Sequence, residues 1–488
     1  MSFLSFFRRL TISPMGLTPS SRVIIPLCVP EELSISKIWD LWLPNYISAE
    51  SYAALNNNKY ARYRIEHLLK MGARIPRAIQ FIIIELKKSF DASKSLCMFE
   101  ATSSEALQRF YDNIIRIFVL NFGRIRDCNM SPTLAHAILF EKEIALDADL
   151  MKMISSTLLV NSLTSFFKGQ NIVPKTSMLS MKIFCAIRQN ELYFQCIQHA
   201  IEKLEQLFYD TKLIDIGSFL EVAARDLINA RLYVVKKLQS GKRQKLTVSI
   251  QEILVLKDIR SIKGASDTLI DVLQEPFSIP LKNSHLTKLT LPDSHEDDGR
   301  HFLSAANWKS EKLKDIVELK LNGKEACDSG WMFSTARDKK PFVLFLQCKS
   351  KRPSSGDITD KAHWEGIESS ELVNTMNFTC SDLPQKGRQF LHLSELIKHD
   401  IAPKAKKGTM LEALQQGNYL YIYLETDVGS PSFAVSDHVM QLGAKDAMNF
   451  LSFLYDPYQF VRGTSFMPQK LDDNDRRHFG SIEEKVLN

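Results

Sequence analysis

The apolar residues of this chain change their spacing about half-way along, and that switch bounds what the chain can fold into. Up to about residue 239 they recur three to four apart, as on helices that each bury one stripe. From about residue 246 they come instead in short runs divided by turn-forming segments, at 246–250, 316–321, 331–335, 342–347, 419–425 and 432–435. Such runs predict strands. Helical patterns recur among them at 358–373 and 444–454. A helical first half followed by mixed strands and helices predicts a multidomain α+β protein with an α/β core in its C-terminal half.

Within the first half, residues 22–28 read as a short buried strand ended by Pro26, and 33–95 as helices. Tyr63, His67, Met71, Ile75, Ile79, Ile82 and Leu86 make one apolar stripe, with a bend at Gly72 and Pro76. Residues 103–205 read as almost wholly helical, with helices at 103–122, 131–146 and 186–209. A bent or extended connector at 171–180, around Pro174, gives that region a winged-helix-like pattern. A further helix is expected over 211–238, and the tail after Gly463 is polar.

Composition excludes little. With 488 residues, 45% hydrophobic and 24% charged, the usage is that of globular proteins, and two to four domains are expected. The formal charge of +6, from 62 Lys and Arg against 56 Asp and Glu, permits a nucleic-acid partner without demanding one. Eight scattered cysteines without a C-x-x-C pair argue against a zinc knuckle and fit a reducing compartment. No apolar run approaches the roughly 18 residues of a membrane span. The first 30 residues hold no acid and carry Arg8, Arg9 and Arg22. That fits a mitochondrial presequence or simply a trimmed domain start.

The chemistry is concentrated at 316–351. A strand alternates its side chains, so Gln347 and Lys349 share one face and Cys348 takes the other. Asp328 opens the preceding strand, where pairing would bring its carboxylate beside Gln347. Phosphodiester hydrolysis needs such a grouping, because the anionic backbone repels hydroxide until a divalent metal neutralises it and activates a water. Magnesium takes carboxylate and carbonyl oxygens. Asp328 would supply charge, the Gln347 amide a neutral oxygen, and Lys349 a cation to hold the water or stabilise the phosphorane. Two polar edges of an ordinary sheet would give the same pattern.

The order Asp328, then Gln347-x-Lys349, resembles the PD-(D/E)XK nuclease motif, with Gln where Glu is frequent. Gly217-Ser218-Phe219-Leu220-Glu221 resembles the G-x-x-[FL]-E helix that opens restriction-endonuclease-like domains, whose Glu joins the metal site. Glu221 and Arg225, four apart, could equally form a surface pair. The roughly hundred residues from Glu221 to Asp328 are a long insertion for that superfamily. Gly72-Ala73-Arg74-Ile75-Pro76-Arg77 resembles the G-x-P-R turn of AAA-like and STAND ATPase modules, in which Arg77 would sense a nucleotide phosphate. The chain has no G-x-x-x-x-G-K-[ST] phosphate loop, so Arg77 is expected to be a relic and no ATPase activity is expected.

Taken in order, these parts resemble the Crinkler and retrotransposon-hot-spot family over about residues 20–465. The resemblance implies a truncated ATPase remnant at 1–125, a helical winged-helix-like domain at 126–205, a restriction-endonuclease-like domain at 206–465 and a loose tail at 466–488. It also implies a nuclease acting on DNA rather than RNA, using Mg²⁺ or Mn²⁺ held by Glu221, Asp328 and Gln347, in a nucleus, possibly a host's. Lys351, Arg352 and Arg225 would bind the nucleic acid. Two other classes stay open: a nuclease fold that binds nucleic acid without cutting, and a protein-interaction scaffold built on residues 103–205. The ligand-rich stretch Asp293 to His301 and the basic clusters at 236–245 and 404–407 read as solvated segments, and no G-x-S-x-G elbow is present.

Overall fold

A computed structural model describes residues 39–40, 43–57, 62, 65–66, 69, 82–88, 113, 116, 131–145, 160–161, 171–187, 190–209, 216–239, 246–278, 286–291, 300–307, 316–320, 329–349, 377–380, 389–392, 403–426 and 431–463. The described helices are α1 (Ala49–Asn57), α2 (Pro132–Leu139), α3 (Met178–Ile187), α4 (Leu192–Tyr209), α5 (Ile216–Gln239), α6 (Ile250–Ile253), α7 (Asp267–Gln274), α8 (Arg300–Ala306), α9 (Met410–Gln415), α10 (Ala444–Leu451) and α11 (Tyr455–Gly463). Among them no helix is long and apolar enough to cross a membrane.

Among the described residues before 210, short β-ribbons accompany the helices. Strand β1 (Ile144–Ala145) pairs with β3 (Asn171–Ile172), and β2 (Val160–Asn161) with β4 (Pro174–Lys175). The helix expected over 131–146 stops at Leu139, because Glu141 takes a left-handed φ of 49° that a helix cannot continue through. Its start is set by Ser131, whose Oγ accepts the Leu134 N–H, with Pro132 at the first helical position. Of the long helix expected over 186–209, α4 forms 192–209, whereas residues 186–187 end α3, which begins at Met178 inside the connector expected over 171–180. The expected helix over 211–238 is α5, and it packs along α4.

The second half builds a mixed, curled sheet of nine described strands. They are β5 (Thr247–Val248), β6 (Phe277–Ser278), β7 (Thr287–Thr290), β8 (Val317–Lys320), β9 (Ser329–Thr335), β10 (Pro341–Lys349), β13 (Tyr419–Glu425), β14 (Phe433–Ser436) and β15 (Val439–Leu442). A separate ribbon joins β11 (Asn377–Cys380) to β12 (Gln389–His392). In space the main order is β14-β15-β13-β10-β9-β6-β5, with β8 also on β9 and β7 on β8. Strands β8, β9 and β10 are antiparallel in turn, whereas β10, β13 and β15 are parallel. Mixed α+β architecture is therefore what the chain adopts.

Alternation sorts the sheet into two faces. Phe342, Leu344, Leu346 and Cys348 of β10 join Leu420, Ile422 and Leu424 of β13 in one core. That core is closed by Phe219, Leu220, Ala223, Ala224 and Leu227 of α5 and runs on into α2, α3 and α4. Val343 and Phe345 face the other way with Tyr419, Tyr421 and Tyr423, under Met410, Leu411, Ala413 and Leu414 of α9. Helices thus cover both faces, which explains why β10 is buried from Pro341 to Cys348. Fully buried Arg231 of α5 ties distant parts together: it donates to the carbonyls of Leu139 (3.0 Å) and Phe450 (2.6 Å). Burial pushes its pKa down, and nearby Glu141 partly offsets that.

Candidate functional site

The site has to be sought where β10 ends, because Gln347 and Lys349 are its seventh and last residues. Here three parallel strands, β10, β13 and β15, finish side by side, and ligands in α/β sheets gather at carboxyl ends. Gln347 is 5% exposed and falls on the face of Val343 and Phe345, opposite to Cys348. Its register partner is Tyr423, whose own partner is Gln441. Lys349 is in register with Glu425. Glu425 is buried and accepts a hydrogen bond from the Gln441 amide. A row of buried polar side chains, Gln347, Tyr423 and Gln441, with Glu425 one step beyond, therefore crosses a face that is otherwise apolar.

The strand carrying the sequence after Asp328 is also in place. Strand β9 runs antiparallel to β10, from Ser334 opposite Pro341 to Ser329 opposite Leu346. Gly330 is needed at this crossing: a Cβ there would meet Leu319 Cδ1 and Phe345 Cδ1, both at 3.2 Å. Asp328 itself lies outside the described residues, as do Lys351, Arg352 and Arg77.

Helix α5 carries Glu221 in its second turn. Its Tyr233 hydroxyl accepts the Leu286 N–H at 3.1 Å, just before β7, while Arg225 lies 3.9 Å from Glu318 on β8. The helix packs across β10, and these two side chains reach the neighbouring margin formed by β7 and β8. Yet α5 covers the Cys348 face, and Gln347 falls on the other. Glu221, on the helix over the Cys348 face, and Gln347 are thus not brought onto one face of the sheet.

On the α5 face a second polar group forms. Asp226, 7% exposed in its side chain, is hydrogen-bonded to His199 Nδ1 of α4 at 2.5 Å and to Arg225 Nε at 3.4 Å. Glu318 sits between Arg225 and Lys288, 3.9 Å from each. Nearby Asn229 accepts the Trp331 Nε1–H at 2.9 Å. Arg225 is thus held by two carboxylates, which fixes it and lowers the charge it can offer a phosphate. The i,i+4 pair with Glu221, which the spacing suggested, is not among these contacts.

Sequence reasoning missed Glu425, Glu318 and Asp226. Glu425 closes the run Tyr-Leu-Tyr-Ile-Tyr-Leu-Glu on the same parity as three tyrosines, which is a readable signal. Its neighbour Lys349 is 76 positions earlier, and only the register reveals the pairing.

Elsewhere, a cleft of about 410 Å³ opens between residues 140–142 and 249–257. Ion pairs Lys142–Glu252 and Lys257–Glu141, both 2.5 Å, close it from the two sides. Among the described residues no three His, Cys, Asp or Glu side chains come together as a metal-binding group. The stretch from Asp293 ends in α8, which begins at Arg300. No family model, no curated protein and no solved structure matches the chain.

Proposed function

We propose that the chain is a metal-dependent nuclease that hydrolyses phosphodiester bonds, with DNA as the substrate. The observation that carries this reading is the pairing of β9 with β10 up to Ser329 opposite Leu346. The next residue on β10 is Gln347, followed two positions on by Lys349, and the residue preceding Ser329 in the chain is Asp328. The donor chemistry fits a hard cation. Gln347 offers an amide oxygen in a buried, polar row, and magnesium prefers such oxygens.

In this reading Asp328 and Gln347 would hold Mg²⁺ or Mn²⁺, and Glu221, on the helix that covers the opposite face, is left out of the ligand set. Bound there, the metal neutralises the scissile phosphate and lowers the pKa of a water. Lys349 orients that water and stabilises charge on the phosphoryl oxygens. Burial of the Gln347 row by α9 and the tyrosines keeps the surrounding dielectric low, which strengthens each of these interactions. Lys351 and Arg352 are the proposed contacts to flanking phosphates, Arg225 being engaged by Asp226 and Glu318, and the resemblance to Crinkler and retrotransposon-hot-spot proteins supports a nuclear setting.

The Asp328→Ala variant tests the assignment. It is expected to lose cleavage of linear double-stranded DNA by about a thousandfold or more, the scale of a lost transition-state electrostatic contact, while its thermal unfolding midpoint stays that of the parent. Cleavage at the parent rate contradicts the assignment.

A further inference from the structure

The stretch Lys404-Ala405-Lys406-Lys407 reads as a solvated segment in the sequence, but its backbone is pinned. Asn307, just after α8 and 7% exposed, donates its amide to the Lys404 carbonyl at 3.0 Å and accepts the Lys406 N–H at 2.6 Å. Fully buried Thr409 donates to the Lys406 carbonyl at 2.7 Å, and Gly408 turns the chain at a left-handed φ of 80°. Ala405 packs against the core that α9 joins. Around this clamp Lys404, Lys406 and Lys407 are exposed. Among the described residues Lys142, Lys182, Lys237, Lys257 and Lys288 face carboxylates, whereas no carboxylate pairs with these three. Glu412, on the helix that follows, has its carboxylate engaged by the Gly408 N–H and the Gln416 amide. Like charges held on a fixed backbone cannot spread apart, so the loop stays cationic until a polyanion neutralises it.

We propose that Lys404, Lys406 and Lys407 form a phosphate grip for duplex DNA, on the face of the sheet that α9 covers and onto which Gln347 falls. The choice of DNA rests on the nuclease reading above. Lysine is a compact point charge that suits phosphate oxygens and reads no base, so the grip holds the backbone without sequence preference. An anionic membrane surface fits less well. Binding there also needs apolar side chains to enter the lipid, and among the described residues the large exposed apolar side chain is Met448, on α10 of the other core. Because Asn307 and Thr409 already hold the backbone, binding orders little beyond the three side chains.

Fluorescence anisotropy of a labelled DNA duplex, titrated with the full chain in EDTA across about 0.05–0.2 M NaCl, tests this without metal or cleavage. The parent is compared with a loop variant carrying Lys404→Gln, Lys406→Gln and Lys407→Gln, and with Arg at the same three positions. A control carries Lys87→Gln, Lys263→Gln and Lys445→Gln, which removes equal charge from exposed lysines of other elements. The loop variant is expected to keep the parent's unfolding midpoint, since the clamp uses main-chain atoms of the lysines. Its affinity is expected to fall at least about tenfold at about 0.1 M salt, and the slope of log affinity against log salt to shrink by about 2–3, near about 0.9 per lost phosphate contact. The Arg variant is expected to keep the parent's slope, and the control to lose far less than the loop variant. Parent-like affinity and slope in the loop variant overturn the inference, and so does an equal loss in the control, which marks net charge alone. Should the loop variant not fold, Lys406→Gln by itself decides, with a slope expected to shrink by about 1. A parent that binds phosphatidylserine vesicles but not the duplex overturns the grip. A parent that binds DNA through the loop yet never nicks it upholds the grip and overturns the nuclease reading, whereas nicking beside a parent-like loop variant does the reverse.

Discussion

Glu252 shows how single side chains join the two halves of the chain. Burial alone would raise its carboxyl pKa, but the Lys142 ammonium and the Ser249 backbone N–H outweigh burial, and the net shift is downward from 4.5. A depressed folded pKa means the carboxylate stabilises the fold above the unfolded value, and that contribution is lost as pH falls through the folded one. Glu252→Gln keeps the capping box at the start of α6, since Gln also serves at that position, and removes the ion pair with Lys142. Its unfolding midpoint is expected to lie below the parent's at pH 7 and to converge on it as pH drops below 4.5. A gap that does not narrow would show that the ion pair contributes nothing. At this scale the sequence was readable where alternation decides: Gln347 and Cys348 do take opposite faces, as the strand period requires. It was not readable where a partner comes from far along the chain, as Glu425 does for Lys349 and Asp226 does for His199.

Among elements, strands that carry a continuous apolar run were legible because nothing else in the sequence competes with them. The run 419–425 is β13 itself, and 342–347 lies within β10. Strand β15 was missed because Val-Met-Gln-Leu is too short to show a period, and its strand character comes from pairing with β13. Helix α9 was missed for a similar reason: its six residues gain their definition from Thr409, which caps Glu412, and from the tyrosine face beneath it. Close packing sets one element-level prediction. A methyl at Gly330 would lie 3.2 Å from Leu319 Cδ1 and Phe345 Cδ1 and 3.3 Å from the Leu344 carbonyl oxygen, so its neighbours would have to shift. Gly330→Ala is expected to lower stability by about 1–3 kcal/mol through overpacking, read from chemical denaturation. An unchanged midpoint would mean that β8 and β10 are looser around β9 than their register implies.

For the whole molecule, the mixture of helical and strand spacings did forecast a mixed α+β architecture. The curl of the sheet was not forecast, because it depends on contacts between its distant margins. Lys263, between β5 and β6, bridges to Phe433 of β14, so the segment that leaves one edge of the sheet returns to the other. Nor did the sequence show that one core runs from Trp39 through α5 to Val461. Helices α4 and α5 pack together across the boundary expected near residue 205. This continuity puts the proposed site on a braced sheet rather than on a loop, which suits a site whose donors must hold their spacing. It also makes nuclease activity the property to measure directly. The decisive measurement incubates the purified chain with supercoiled plasmid in Mg²⁺, in Mn²⁺ and in EDTA, beside Lys349→Ala. The nuclease reading predicts nicking with either metal, none in EDTA and none by the variant. Absence of nicking under every condition by a folded parent, with salt-dependent DNA binding retained, would contradict it and leave a nucleic-acid-binding module without catalysis.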